Sequence, residues 1–270
     1  MTATAPHTQP APDHNSARTL DALKASHTPR AIAARLNSGP DHSYLRDFVY
    51  GAIDGTVTTF AVVAGVAGAQ LPAGIVVVLG VANLVGDGFS MAASNYLGTR
   101  TEVALRERYR QMEIEHIKRV PDGEREEVRQ IFAAKGFSGE DLERAVDTIT
   151  SDQERWVNVM LTDELGVALE SPSALRAAWT TFAAFVLCGL VPLVVYLWQL
   201  AAPASMRIGE PFVASAVLTG ATFFGVGAMR SRFIDRPVWR SGLETLLIGS
   251  AAAAMAFVIG ALLSGVATMH

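Results

Sequence analysis

Five runs of about twenty apolar residues constrain this chain more than any other feature, because a helix of that length matches the roughly 30 Å hydrocarbon core of a bilayer. They extend from Phe48 to Ala69, Ala73 to Leu97, Ala177 to Leu200, Pro211 to Met229 and Leu243 to Val266. Half the residues are hydrophobic, 18% are charged and the mean hydropathy is +0.28, a balance too apolar for an ordinary soluble domain of this size. In hydrocarbon every backbone N–H and C=O must be satisfied within its own segment, so the runs predict an all-α membrane protein with five transmembrane helices. Pro192 in the third run is compatible with this, since neighbouring groups can satisfy the carbonyl it frees.

The connections orient the bundle. "AQLPAG" between the first two runs is a tight uncharged turn, whereas "RSRFIDRPVWR" between the fourth and fifth carries four arginines against one aspartate. Positive loops stay in the cytoplasm, and counting back places the N-terminus there too. The division expected is a cytoplasmic tail over residues 1–44, spans one and two over 45–97, a cytoplasmic insert over 98–172, and spans three to five over 173–270. The opening "MTATAPHTQPAPDHNSART" has the composition of a disordered segment and lacks the apolar centre of a secretory signal. The stretch after it, with Lys24, Arg30 and Arg35, reads either as an amphipathic helix on the membrane surface or as a solvated linker. A net charge of −4 without clustered Lys and Arg gives no nucleic-acid partner. Cys188 stands alone, so neither an intramolecular disulfide nor a multi-cysteine metal site can form.

The insert is charged and helical in period, with three to four helices expected. "TRTEVALRERYRQMEIEHIKRV" continues the second span into water until Pro121. "PDGEREEVRQIFAAKG" opens on proline and closes at Gly136, "SGEDLERAVDTITSD" has Ser138 as N-cap, and "QERWVNVMLTDELGV" closes at Gly166.

Polar residues inside the apolar runs are the functional candidates. A carboxylate at the centre of a bilayer costs roughly 2.5–3.5 kcal/mol on insertion scales, so Asp54 and Asp87 need a reason to be there. Asn83, Asp87 and Met91 share one stripe of the second span and could ligate a cation together. The structural alternative is that the two aspartates cap helices or sit at the interface, with Met91 as packing. Gly51 and Gly55 flank Asp54 at small-xxx-small spacing, which admits another helix at close range, one from a second subunit included. In the insert, Glu113 with His116, Glu124 with Glu127, and Met160 with Glu164 each share a helix face. Packed together, these faces make a cage of carboxylate, imidazole and thioether that suits Fe²⁺, Mn²⁺ or Zn²⁺ better than Mg²⁺ or Ca²⁺. By spacing alone the same glutamates are what any solvated helix displays.

Taken in order, "DFVYGAIDGTVTTFAVVAGVAGA", "VANLVGDGFSMAASNYLGTRTE", "VPDGEREEVRQIFAAKGF" and "MLTDELGV" resemble the vacuolar iron transporter family from about Asp47 to Gly166, and "CGLVPLVVYL" extends the likeness into the later spans. The resemblance implies a five-span homodimer that exchanges protons for Fe²⁺ and related divalent metals such as Mn²⁺, moving them out of the cytosol, with no prosthetic group and no enzymatic activity. It implies that Asp54 and Met91 line the translocation path, and that Glu113, Glu124, Glu127, Met160 and Glu164 fall on cytoplasmic metal-binding positions. His116 stands where the family usually has Glu, and Leu161 where it often has a second Met. His116 remains a competent ligand when neutral, while Leu161 cannot bind metal.

The mechanism expected is exclusion: an acid group kept from water, here Asp54 with Asp87 and Met91 beside it, holds either a proton or a divalent cation. Two other classes fit parts of the sequence. "EIEH", Glu113 to His116, matches one Glu-x-x-His element of a di-iron ferroxidase, though no second one follows. A membrane-anchored metal sensor would bind without transport. The membrane expected is a bacterial cell membrane, or a vacuolar membrane in a eukaryote.

Overall fold

The apolar runs become helices whose limits follow from where proline, glycine and charge interrupt them. A computed structural model describes residues 14–38, 44–169, 172–231 and 236–267. Helices α1 (His14–Ser26) and α2 (Pro29–Ser38) form a unit of their own, so the tail is partly helical; residues 1–13, on which the expectation of disorder also falls, lie outside the described residues. The second unit begins at Tyr44 and is all-helical among the described residues.

The central helix is α3 (Leu45–Gly68), which carries Asp54 and is more deeply buried than any other span. It meets α4 (Ala73–Arg119) on one side, α8 (Ala174–Gly189) on a second and α11 (Val238–Ala267) on a third. Glycine sets these approaches. A Cβ on Gly51 or Gly55 would run into the backbone carbonyl of Thr181 or Phe185 on α8, and one on Gly68 into that of Phe257 on α11. The small-residue motif around Asp54 is therefore occupied by a helix of the same chain, not held open for a second subunit. Backbones in contact leave no room for a branched residue, and dispersion over that contact supplies the helix association that the hydrophobic effect cannot supply in lipid.

Among the described residues four helices are long and apolar enough to cross a membrane: α3, α4, α10 (Pro211–Ser231) and α11. The remaining run is broken. Helix α8 ends at Gly189 and α9 (Val191–Ala201) departs at 51°, so the pair counts as a fifth span only if taken as one bent element. Pro192 explains the break: it has no N–H to give and its ring clashes with the carbonyl four residues earlier. Behind the bend Phe60, Val63, Val76, Leu84, Phe185, Leu193 and Tyr196 form the bundle core. Leu193 of α9 packs into the space Gly80 leaves on α4.

Helix α4 runs unbroken for 47 residues. Its buried positions, Val76, Gly80, Leu84, Gly88, Ala92 and Thr99, recur mainly at every fourth residue and follow the face turned to α8 and α9, while Val78, Val85, Phe89 and Leu97 point outward. Beyond Leu97 the same helix becomes charged and carries the insert: α5 (Pro121–Ala134), α6 (Gly139–Thr150) and α7 (Gln153–Val159). Pro121 opens α5 as expected, and Gly136 with φ 99° follows its end. Ser138 takes the extended N-cap conformation of α6, yet its side chain makes no capping hydrogen bond. The three helices enclose Val128, Leu142, Val146, Trp156 and Met160. Ion pairs Arg125–Asp147 and Arg129–Glu143 join α5 to α6 outside that core. The last expected helix is shorter than its sequence suggests, because Met160–Glu164 widens into a π turn in which Leu165 N–H donates to the Met160 carbonyl at 3.1 Å.

Gly55→Ala tests the glycine crossing. The added methyl has only backbone to push against, so it should destabilise the protein by about 1–3 kcal/mol. Gly98→Ala, in α4 with nothing near its Cβ, should instead gain about 0.5–1 kcal/mol. Thermal melting in detergent reads both, and equal melting temperatures would remove the crossing as a stabilising feature.

Candidate metal path and cage

Two hydrogen-bonded ties set the antiparallel register of α3 and α4. Asn83 donates from Nδ2 to the hydroxyls of Thr58 and Thr59 at 3.2 and 3.4 Å. Nearer the insert, Asn95 donates from its amide to Asp47 Oδ1 at 2.8 Å and to the Thr181 hydroxyl at 2.7 Å, joining α3, α4 and α8. Between the ties Asp54 comes level with Asp87 and the two carboxylates interact electrostatically. Asp54 is half-buried, Asp87 is exposed on the protomer, and Met91, one turn beyond, packs against the bundle core. Asn83 is thus committed to holding the helices together. Asp54 and Asp87 are not: among the described residues neither carboxylate accepts a hydrogen bond or forms an ion pair.

The ties are the part of the path that sequence reasoning missed. Asn95 follows Asn83 by twelve residues, about 120° further around the helix, so the available signal was not a shared face but the presence of two amides in an apolar run. Asp47 and Thr58 lie on the Asp54 face of α3 by the same period, and Asp47 is satisfied by Asn95 while Asp54 lacks such a partner.

At the far end of α4, Glu113 and His116 meet Glu124, near the start of α5. Each offers one ligand atom, and these atoms all lie within 4.8 Å of one another. His116 Nδ1 stands 3.4 Å from Glu124 Oε1. Glu113 is 2% exposed and Glu124 6%, and one oxygen of each, Oε2, is buried without a hydrogen-bond partner among the described residues. Buried oxygens of this kind cost free energy unless a cation or a proton occupies them. Glu127 and Glu164 complete an acidic rim: both are exposed, and both act electrostatically on the buried pair. Met160 is fully buried in the insert core, at the start of the π turn that ends in Glu164 and packs against α4 and α5. Leu161 beside it is also buried. Glu113, His116 and Glu124 thus come together, Glu127 and Glu164 lie within electrostatic reach of them, and Met160 belongs to the apolar core of the insert.

The charges are mutually costly. Burial, then repulsion from Glu127 and Glu113, pushes the Glu124 carboxyl up from 4.5 to about 7, with His116 pulling the other way and Glu164 adding to the push. Burial raises Glu113 as well, opposed by His116, and burial followed by Glu127 and Glu113 raises Glu164. A cluster in this condition takes up a proton near neutrality or a divalent cation in its place.

The fold is that of a helical membrane protein, and the Glu113–His116–Glu124 cluster has the spacing of a cation site. The comparisons with known proteins agree. The chain belongs to the VIT family, whose sequence model matches residues 45–261. It is 34% identical over 214 residues to vacuolar iron transporter 1 of Eucalyptus grandis, covering 79% of this chain and 84% of that one. Identity is 32% to vacuolar iron transporter 1 of Arabidopsis thaliana, over 80% of this chain and 84% of the relative, and 30% to the vacuolar iron transporter of Toxoplasma gondii, over 82% and 74%. Relatives named as transporters support a role that is not enzymatic, and the insert has one Glu-x-x-His where a ferroxidase bundle uses two.

Because folded Glu124 holds its proton longer than the unfolded chain does, the metal-free protein should lose stability as pH rises from about 4.5 to about 7 and then level off. Melting in chelator should be lower at pH 8 than at pH 5, by several degrees; Glu124→Gln should flatten that slope, and Mn²⁺ should raise the pH 8 value. Identical slopes for wild type and Glu124→Gln would show that the cage does not carry this charge.

Proposed function

We propose that this protein is a proton-coupled antiporter that moves Fe²⁺, and related divalent transition metals such as Mn²⁺, out of the cytosol. The observation that carries the reading is the single helix α4: it bears Asp87 and Met91 opposite Asp54 at one end and the orphaned Glu113 oxygen at the other. Residues 87 and 113 are about 39 Å apart along a continuous helix. One rigid element thus connects a cage that concentrates metal to carboxylates within the membrane. Relatives along most of the chain are named for iron transport.

In this reading Glu113, His116, Glu124, Glu127 and Glu164 capture metal on the cytosolic side, where the arginine-rich link between α10 and α11 also lies by the positive-inside rule. Met160 lends a thioether beneath them. The cation then passes to Asp54, Asp87 and Met91. A carboxylate there accepts a proton when the metal leaves and must surrender it when the next one arrives, so the two ions move in opposite directions provided the site opens to one side at a time. Asn83 keeps α3 and α4 in register around the pair. His116 contributes a ligand without a negative charge, which favours borderline ions such as Fe²⁺ over Ca²⁺. The exposed carboxylate of Asp87, with Ser90 and Ser94 on the same face of α4, supports a homodimer in which a second copy closes the path. The bent α8–α9 pair serves as the third of five spans. Residues 1–44 form a cytoplasmic tail and 98–172 the cytoplasmic metal-binding domain.

Proteoliposomes test this. Fe²⁺ or Mn²⁺ uptake should rise with a pH gradient acidic on the receiving side, and Asp54→Asn should lose the gradient-dependent component while still binding metal at the cage. Gradient-dependent flux through Asp54→Asn at the wild-type rate would remove the coupling role, and metal binding without flux in the wild type would make the protein a sensor.

A further inference from the structure

The face of α4 opposite its polar stripe borders a groove that the transport reading does not employ. A groove of about 370 Å³ lies between α4 and α8, walled by Phe89, Ala93 and Tyr96 on one side and by Leu175, Trp179 and Phe182 on the other. Phe89 is 69% exposed and Trp179 61%, so nothing within the protomer fills the space. Trp179 and Phe182 pack edge to face with centroids 5.8 Å apart, which makes that wall stiff.

The groove has a polar mouth at one end only. Phe89, Ala93, Tyr96 and Arg100 succeed one another along one stripe of α4. The Arg100 guanidinium lies 5.9 Å from the Tyr96 ring centroid, and its Nη1 donates to the Tyr96 hydroxyl at 3.4 Å. Arg176, in the first turn of α8, stands at the same end. Both arginines are exposed, and among the described residues neither forms an ion pair with a carboxylate. From Phe89 to Arg100 the helix rises about 16 Å, close to the roughly 15 Å hydrocarbon depth of a single leaflet. Tyr96 and Trp179 lie between the two ends, where an amphipathic aromatic meets the headgroup boundary.

We infer that this groove binds one anionic phospholipid from the leaflet on the insert side, with an acyl chain between Phe89 and Phe182 and the headgroup phosphate on Arg100 and Arg176. An arginine without a carboxylate partner recognises phosphate by paired N–H donors, and a second positive charge beside it favours a lipid of net negative charge over a zwitterion. A second copy of the chain is the less fitting occupant: Phe89 is about 160° around α4 from Asp87, so a subunit lying on the polar stripe leaves the groove to lipid. The site uses none of the residues assigned to metal or proton, and it rests on the transport reading only where that places the subunit contact on the polar stripe.

Native mass spectrometry of the intact protein in detergent, titrated with phosphatidylglycerol or phosphatidylcholine, reads the inference. The wild type should retain one phosphatidylglycerol per protomer under conditions that strip phosphatidylcholine. Arg100→Gln should weaken that retention about fivefold, the attraction one arginine adds at an anionic surface, and leave the weak phosphatidylcholine signal unchanged. Ala93→Phe, which fills the groove from an open wall, should abolish retention of both lipids with helicity intact, and Arg230→Gln at the distant arginine link should change nothing. Undiminished phosphatidylglycerol retention by Arg100→Gln, or its loss in Arg230→Gln, would overturn the site. A change of oligomeric state in Ala93→Phe would overturn it in favour of a subunit contact.

Discussion

Hydrocarbon offers no hydrogen bonds, and the arrangement of this protein follows from how its intramembrane polar groups meet that condition. Thr56 and Thr219 turn their hydroxyls back to carbonyls of their own helices. Ser215 donates to the Pro192 carbonyl at 2.7 Å, securing α10 against the bend between α8 and α9. Asn83 and Asn95 reach across to α3, and Asp47 is absorbed into the second of these ties. Against that background Asp54 and Asp87 stand out by what they lack. Their carboxylates interact electrostatically between two satisfied rungs, and a proton or a cation would stabilise them.

Close packing makes this placement possible. Gly51 and Gly55 let α8 come against the backbone of α3, and Gly68 does the same for α11. With those flanks sealed, the Asp54 face of α3 is the one left toward α4. The length of α4 then transmits the position of the membrane pair to the insert, since no proline or glycine kink interrupts it between Asp87 and Glu113. The cage is built where this helix is crossed by α5 and by the π turn. Turns of that width are frequent at functional sites because they re-aim side chains without ending a helix.

The two carboxylate clusters share one physical feature in two settings. In the membrane the medium itself disfavours charge. In the insert, burial of Glu113 and Glu124 among further carboxylates does the same and holds Glu124 near neutrality. In each, a proton or a divalent cation would offset the cost of the charge, and the imidazole of His116 adds a ligand atom to the cage without a negative charge.

Much of this was legible in the chain. Four spanning helices were readable from apolar length, the extension of α4 from the absence of a helix breaker before Pro121, and the limits of α5 from Pro121 and Gly136, whereas the break of the third run at Gly189 was not. Spacing put Glu113 with His116 on one face, and the structure adds Glu124 to them. Pattern could not say that Gly51 and Gly55 contact α8 of the same chain, because small-residue spacing is alike for contacts within and between subunits. Nor could it separate Asn83, a tie between helices, from Asp87, an open carboxylate on the same stripe, or foresee that α7 would widen at Met160. Local sequence determined which segments are helical and which residues share a face, since both depend on the helical period and on hydrophobic length. Only the tertiary structure decided which of those faces meet, because whether a buried oxygen is satisfied or left for an ion depends on the helix packed opposite, far away along the chain.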